Sequence, residues 1–246
     1  IQTGNFNCFK CPETGSAVKL VQTIDGVSFK EAYKIIEQFG GGTYVPKEKV
    51  YQSKVQLPVG SSKNFSDLHL SFLQKRRYPK EVIEKYDLYS TGPVGGHYKY
   101  RIIIPVYMNK RMVSFVGRDV TGQSDSPYWN SSPDFSIRNV KQCLYNMDNV
   151  PRKSVVIVEG IFDAWRLGDG AVCTFGTKYT HQQLLLLRGM KRVFVMFDND
   201  AIAQAHKLGH DLSSIVNQVE ILELESGDPD DLSDDDVKSL RKDLNL

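Results

Sequence analysis

The sequence contains no long apolar run, and none of its hydrophobic stretches approaches the ~18–20 residues that a membrane span requires. It has four cysteines among 246 residues, too few for a disulfide framework, and no signal-peptide pattern. A GxxxxGK[ST] phosphate-binding loop is also absent, which excludes an NTP-driven motor from this stretch of chain. These absences predict a protein of a reducing cytoplasm with no membrane partner.

Charge is unevenly distributed, although the formal net charge is only +2. Residues 1–150 hold 20 Lys and Arg against 13 Asp and Glu, a balance of +7. Residues 151–246 hold 11 against 16, a balance of −5. This division suggests that the basic half binds a polyanion and the acidic half binds cations. The alternative is that the charges are distributed by chance.

Residues 1–40 form a first, small predicted unit. CFKC precedes the segment VSFKEAYKIIEQF, in which apolar residues fall at helical spacing, with Ser28 as N-cap and Glu31 three residues later. The glycines at 40–42 end this helix. Residues 41–64 are rich in Gly, Pro, Ser and Lys without periodicity, and are predicted to be a linker.

Residues 65–150 are predicted to form a basic α+β subdomain. SDLHLSFLQKRR and PKEVIEKYDL have the pattern of short helices that begin near Ser66 and Pro79. YKYRIIIPVYMNKRMVSFVGRDV contains two β-rich runs joined by a polar turn, which predicts a hairpin. In residues 151–246, strand-like and helix-like segments alternate four times, which predicts a mostly parallel α/β sheet covered on both faces.

Acidic residues follow three of these predicted parallel strands. Glu159 ends the first strand, Asp198 and Asp200 follow the third, and Asp228 and Asp230 lie in GDPDD after the fourth. Because the carboxyl ends of parallel strands line one edge of a sheet, we expect these acids to converge there. Clustered carboxylates repel one another unless hard cations bridge them, and Mg²⁺ prefers oxygen ligands.

Acids near strand ends also act as helix N-caps and as solvated loop residues, and for any single one of them that role is the commoner one. Acids at three strand ends along one edge favour a metal site instead. Asp163 lies one helical turn after Glu159, so it is open to two interpretations: support for the metal-binding acids, or an ordinary first-turn acid.

The segments VVIVEGIFDAWRL, FGTKYT, VFVMFDND and GDPDD together resemble the Toprim domain, a Rossmann-like fold of topoisomerases and primases. The resemblance implies a set of carboxylates with assigned roles: Glu159, Asp198 and Asp200 as catalytic residues and metal ligands, with Asp228 and Asp230 as further metal ligands. Asn199 departs from the pattern, because the bacterial primases usually have glycine there.

The preceding segments resemble the basic subdomain of the DnaG-type primase family, in which Arg and Lys contact phosphates and aromatic residues stack on bases. The family usually has a lysine where Pro127 stands, and Arg138 or Lys141 are the candidates to supply that charge. Without the resemblance, a solvated hairpin face explains the pattern at least as well. The predicted DNA- and nucleotide-binding residues are Lys99, Arg101, Arg118, Asn130, Arg138 and Lys141.

The CFKC segment and its flanks resemble the second half of the primase zinc ribbon. Cys8 and Cys11 are then two zinc ligands, whereas a structural zinc site needs four. The resemblance therefore implies Zn²⁺ only if the other half of the ribbon lies upstream of Ile1.

The resemblance covers the chain in the family's order and implies a DNA primase: a polymerase that joins NTPs into RNA primers on single-stranded DNA, with Mg²⁺ or Mn²⁺ in the acidic site. It further implies the cytoplasm of a bacterium or phage-infected host, and a replicative helicase as partner. Two alternatives stay open. One is a Toprim nuclease that uses the same metals for hydrolysis, and the other is a non-catalytic module that binds single-stranded nucleic acid.

Overall fold

The computed structural model describes residues 5–7, 14–38, 52–151, 153–224 and 227–246. These residues belong to two compact units, Ile1–Lys49 and Val50–Leu246. Within the described ranges, no helix is both long enough and apolar enough to cross a bilayer.

The first unit has two short antiparallel strands followed by two helices. These elements are β1 (Asn5–Asn7), β2 (Thr14–Ser16), α1 (Ala17–Asp25) and α2 (Phe29–Gln38). The predicted cap of α2 is confirmed, because the Glu31 carboxylate accepts hydrogen bonds from the backbone N–H and the hydroxyl of Ser28, at 2.9 and 2.6 Å. Cys8 and Cys11 lie outside the described residues, so the zinc-ribbon half stays a prediction.

The second unit begins with an α+β half. Its elements are α3 (Asp67–Lys75), α4 (Glu81–Lys85), β3 (Tyr89–Ser90), β4 (Arg101–Met108), β5 (Arg111–Asp119) and β6 (Tyr128–Asn130). The strands form an antiparallel sheet in the order β3-β4-β5-β6. The predicted hairpin is confirmed as β4 and β5, and its turn places Asn109 and Lys110 at φ +53° and +59°, the left-handed geometry that suits two-residue hairpin turns.

Residues 52–64 pack against this antiparallel sheet. Ser62 and Ser90 exchange two backbone hydrogen bonds of 2.8 and 2.9 Å, and Val55 packs against buried residues of the sheet. This part of the segment 41–64 therefore belongs to the second unit rather than to a linker. Its few apolar residues have no regular period, so the sequence gives no signal of their burial.

The remainder of the second unit alternates strands and helices, as predicted. The elements are β7 (Ser154–Val158), α5 (Ile161–Leu167), β8 (Ala171–Cys173), α6 (His181–Leu186), β9 (Arg192–Val195), α7 (Ile202–Leu212), β10 (Gln218–Ile221) and α8 (Asp234–Leu244). The four strands form a parallel sheet in the order β10-β9-β7-β8. The predicted α/β class with a mostly parallel sheet is confirmed.

The two faces of the parallel sheet pack into different cores because alternate residues of β7 point to opposite sides. Val155 and Ile157 belong to a cluster with residues of α6 and α7. Val156 and Val158 belong to a cluster that also contains Ile104 and other buried residues of the antiparallel sheet. One core thus joins the two sheets, and it places strands β5 and β6 beside the carboxyl ends of the parallel strands.

Candidate active site

Three predicted carboxylates meet at the carboxyl edge of the parallel sheet. Glu159 directly follows β7, and Asp198 and Asp200 follow the neighbouring strand β9. One carboxylate oxygen from each residue lies within 4.8 Å of the other two. Glu159 also accepts a hydrogen bond of 3.1 Å from the backbone N–H of Asp198, which fixes its orientation. These three acids converge in the structure, as predicted.

Asp163, Asp228 and Asp230 line the cavity that Glu159 and Asp198 also line, and they lie outside that three-oxygen group. Asp228 begins the 3₁₀ turn Pro229–Asp231, and its loop is held beside Asp198 by a backbone hydrogen bond. Asp163 is buried in the first turn of α5, where its carboxylate accepts the N–H of Gly160 at 2.8 Å. The cavity has a volume of about 400 Å³.

Burial and mutual repulsion raise the pKa values of these acids. Burial is the largest cause for each, and repulsion by neighbouring carboxylates adds to it. The pKa of Glu159 is raised to about 7, that of Asp163 to about 7, and that of Asp198 to about 6. The pKa of Asp228 is also raised. A site that holds several carboxylates at such cost is complementary to a cation.

The donor set fits a hard divalent cation. Oδ1 of Asp198 and Oδ1 of Asp228 are buried, and neither has a hydrogen-bond partner among the described residues. Orphaned carboxylate oxygens of this kind are the ligands that Mg²⁺ and Mn²⁺ take, together with water. Glu159, Asp198 and Asp200 supply oxygen only, without the thiolate or imidazole ligands typical of zinc.

The opposite wall of the cavity is basic and aromatic. Arg118 and Asn130, both predicted, line it, together with Arg76 and Tyr128. The Arg118 guanidinium lies 4.6 Å from the centre of the Tyr128 ring, and its buried Nε has no hydrogen-bond partner among the described residues. Arg118 also forms no ion pair within the described part of the chain. A cation so placed is available to an anion in the cavity.

Arg101 lies away from this cavity and is 4% exposed. All five of its N–H donors are used within the protein, four of them by backbone carbonyls and one by the Ser124 hydroxyl, at 2.7–3.1 Å. It thereby ties the loop at His97 to the loop at 124–127. A predicted contact of Arg101 with template remains a prediction.

The remaining predicted basic residues have three different surroundings. Lys99 is exposed and lines a second cavity of about 610 Å³, which also contains Trp129. The Lys141 ammonium donates to three backbone carbonyls of the loop 174–178, at 2.7–2.9 Å. Arg138 is exposed and lines neither cavity. The structure therefore brings only Arg118 and Asn130, of the six predicted residues, to the acidic cavity.

Asp230 is already paired inside the protein. Its Oδ2 lies 3.1 Å from the Arg76 guanidinium, and its Oδ1 accepts a hydrogen bond from the Tyr78 hydroxyl. The sequence gives no sign of the roles of Arg76 and Tyr78, because no sequence pattern relates the end of α3 to a residue more than 150 positions later. The one sequence signal near these residues is the basic run KRR immediately before Tyr78.

No family model matches the sequence. A DNA primase of Borreliella burgdorferi is 31% identical over 199 residues, which are 74% of this chain and 38% of that protein. A DNA primase of Geobacillus stearothermophilus is 23% identical over 257 residues, which are 79% of this chain and 43% of that protein.

Two solved structures share the fold. The zinc-binding and RNA polymerase domains of the Aquifex aeolicus primase match 99% of this chain and 73% of that structure, with a TM-score of 0.62 and 23% identity. The primase fragment of the bacteriophage T7 primase-helicase protein matches 100% of this chain and 92% of that structure, with a TM-score of 0.55 and 14% identity.

The fold is therefore that of Toprim-type primase catalytic cores, with acids at the carboxyl edge of a parallel sheet. In sequence, the chain is a relative of the DnaG-type DNA primases, as its motifs predict. The chain spans less than half the length of each of these two curated relatives.

Proposed function

We propose that this chain is the RNA-polymerising core of a DNA primase, which joins NTPs into a short RNA on single-stranded DNA. The observation that carries the proposal is one cavity with two chemically opposite walls. Glu159 and Asp198 line this cavity, with a carboxylate oxygen of Asp200 within 4.8 Å of theirs, and Arg118 and Asn130 line it as well. Nucleotidyl transfer needs both: ligands for cations, and donors for phosphate oxygens.

Mg²⁺ or Mn²⁺ would be held by Glu159, Asp198 and Asp200, with the orphaned oxygen of Asp228 as a further ligand. Such ions, when bound, neutralise phosphate oxygens and stabilise the attacking and leaving oxygens of the transfer. Asp163 lines the same cavity, and its hydrogen bond with Gly160 fixes the start of α5 beside Glu159.

The basic wall would bind the nucleotide. The Arg118 guanidinium packs against Tyr128 and keeps Nε unpaired, so its donors can reach phosphate oxygens without first breaking an ion pair. The second cavity suits the template strand, because exposed Lys99 supplies charge beside the parallel stack of His97 and Trp129, whose ring centres are 4.4 Å apart. Arg101 also lines this cavity, where its hydrogen bonds hold the loops at His97 and 124–127 in place.

The other predicted partners rest on the family resemblance alone. Zn²⁺ belongs to the proposal only where the upstream half of the ribbon is present. A replicative helicase is proposed as partner, and the cytoplasm of a bacterium or phage-infected host as location, because primer synthesis accompanies DNA replication.

The test is primer synthesis on a panel of single-stranded templates, with labelled NTPs and Mg²⁺ or Mn²⁺. The Asp198→Ala plus Asp200→Ala double variant is expected to lose synthesis by at least ~100-fold. The matched control is Asp235→Ala plus Asp243→Ala, which removes two exposed acids of α8 and should retain activity. A ribbon-complete chain is assayed alongside.

Other outcomes would point elsewhere. Metal-dependent cutting of the template, without NTP incorporation by either chain, would replace the primase with a nuclease. Template binding that is insensitive to metal, with neither synthesis nor cutting, would leave a binding module. Retained synthesis in the double variant would refute the acidic edge as the catalytic site.

A further inference from the structure

Three consecutive residues after helix α3 all bind Asp230. The Arg76 guanidinium and the Tyr78 hydroxyl take the two carboxylate oxygens, and the Arg77 guanidinium donates to the Asp230 backbone carbonyl at 2.5 Å. The Asp230 side chain is only 15% exposed. Both carboxylate oxygens are thus engaged within the protein, although Asp230 also lines the acidic cavity.

The backbone of this segment is bent to make these contacts. Arg77 has φ +63°, a left-handed conformation that is uncommon for residues with a side chain. It ends α3, because its N–H bonds the Gln74 carbonyl while the N–H of Tyr78 returns to the carbonyl of Leu73. The turn lets Arg76, Arg77 and Tyr78 reach one carboxylate-bearing residue together. Aromatic contacts support it, since the Tyr78 ring lies 5.7 Å from that of Phe162.

The loop 227–231 that carries Asp228 is therefore attached on two sides. On one side the backbone N–H of Asn199, between Asp198 and Asp200, donates to the Gly227 carbonyl at 3.2 Å. On the other side Asp230 is bound by the segment 76–78. Asp228 lies between the two attachments, with its Oδ1 buried and without a partner among the described residues.

We propose that Asp230 is a positioning residue and not a metal ligand: by binding Arg76 and Tyr78 it sets the distance of Asp228 from Asp198 and completes the metal site. The inference rests on the proposed metal site. It couples the basic half of the unit to the acidic edge, because metal affinity then depends on residues that come from the end of α3. Groups that orient metal ligands typically change metal affinity 10–100-fold when removed.

Tyr78→Phe separates this inference from direct ligation by Asp230. The substitution removes one neutral hydroxyl and changes no charge. If Asp230 positions the loop, Mn²⁺ affinity falls, by about tenfold at the low end of that range. If Asp230 ligates the metal, Tyr78→Phe frees a carboxylate oxygen, and Mn²⁺ affinity stays the same or rises. Arg76→Lys gives a second test, because it keeps the charge but loses the planar guanidinium, and it should also weaken binding.

The matched control is Tyr86→Phe. Tyr86 packs in the same aromatic cluster, with its ring stacked 4.9 Å from that of Trp165, and its buried hydroxyl has no hydrogen-bond partner among the described residues. It makes no contact with Asp230, so its variant should bind Mn²⁺ like the parent chain. Thermal unfolding without metal checks that all three variants are folded.

Mn²⁺ binding is measured on the full chain by titration calorimetry and by the electron paramagnetic resonance of free Mn²⁺, so primer synthesis is not needed. Weaker binding in Tyr78→Phe and Arg76→Lys, with Tyr86→Phe unchanged, supports the inference. Unchanged or tighter binding in Tyr78→Phe overturns it and leaves the proposed function intact. A parent chain that binds no Mn²⁺ refutes the metal site itself, and the inference with it.

Discussion

The backbone N–H of Asp198 donates to the Glu159 carboxylate at 3.1 Å, so acids from two neighbouring parallel strands are joined before any ion is bound. The bond stabilises the charged form of Glu159, yet its pKa is still raised to about 7, because burial and the charge of Asp198 outweigh the bond. Without a bound ion, the carboxylates at this edge of the sheet therefore repel one another, and a divalent cation would remove that repulsion.

Glu159→Gln should separate stability from function. The amide oxygen can still accept the N–H of Asp198, while one repelling charge disappears. We expect the metal-free variant to be more stable by roughly 1 kcal/mol, a figure reduced for the partial exposure of the site. Primer synthesis should fall by about 10²–10³-fold. Urea unfolding in EDTA and the primer assay measure the two effects. A variant that is both less stable and fully active would contradict this account of Glu159.

The pH dependence of stability follows from the same acids. Their folded-state pKa values, about 6 for Asp198 and about 7 for Glu159 and Asp163, lie above the ~4 of an unfolded chain. Between these limits the native state binds more protons, so the free energy of unfolding decreases as pH rises from about 4 to about 7. Above about pH 7 these acids are ionised in both the folded and the unfolded state, so they lower the free energy of unfolding no further.

This trend should appear in EDTA and shrink with Mn²⁺ or Mg²⁺, because the cation replaces the protons. Unfolding by urea at pH 5, 6, 7 and 8, with and without metal, measures it. Glu159→Gln is the control, since it should flatten the slope in EDTA. Stability that rises with pH in EDTA would show that other groups dominate.

The sequence predicts the acidic edge well and the basic wall poorly, for a physical reason. A parallel sheet brings strand ends together, so acids after β7 and β9 have neighbouring positions once the strands are recognised. Basic residues on a hairpin and its loops have no such constraint. Arg101 and Arg118 look alike in the sequence, yet one is enclosed by five protein acceptors and the other faces the cavity.

Contacts between segments that are distant in the chain could not be predicted from the sequence for the same reason. The pairing of Arg76 with Asp230 depends on how α3 packs against α5, and no local period encodes that packing. Residues 52–64 were likewise predicted as linker, because their burial depends on the sheet beside them and not on their own pattern.

Lys141 should behave as a structural residue. Its ammonium satisfies the carbonyls of Thr174, Phe175 and Lys178, and Phe175 lines the acidic cavity. Lys141→Met keeps the side-chain length but removes the donors, and should cost about 2–3 kcal/mol of stability. Urea unfolding measures this loss.

The matched control is Lys178→Met, which removes the same charge from an exposed side chain of the same loop and should change stability by less than ~0.5 kcal/mol. If Lys141→Met unfolds like the parent chain but binds nucleotide more weakly, the predicted direct contact of Lys141 with nucleotide would be supported instead.

Substitution of Arg118 should weaken NTP binding, whereas substitution of Arg101 should lower stability. Arg118→Gln removes a guanidinium that has no ion-pair partner in the described residues, so stability should change by less than ~1 kcal/mol, while NTP affinity falls about tenfold, or ~1.4 kcal/mol. Arg118→Lys should recover only part of that affinity, because an ammonium does not stack on Tyr128 as a flat guanidinium does.

Arg101→Gln should give the reverse result. It leaves the buried carbonyl of Gly117 and the partly buried carbonyls of Ser126 and Pro127 without this donor, so we expect a loss of at least ~3 kcal/mol in the free energy of unfolding. NTP affinity, measured under conditions where the variant is folded, should stay within about twofold, since Arg101 does not line the acidic cavity. Urea unfolding and binding of a fluorescent NTP test both variants together. If Arg101→Gln were as stable as the parent chain but failed to bind template, Arg101 would be a direct template ligand, and the hydrogen bonds that enclose it would have to open when DNA binds.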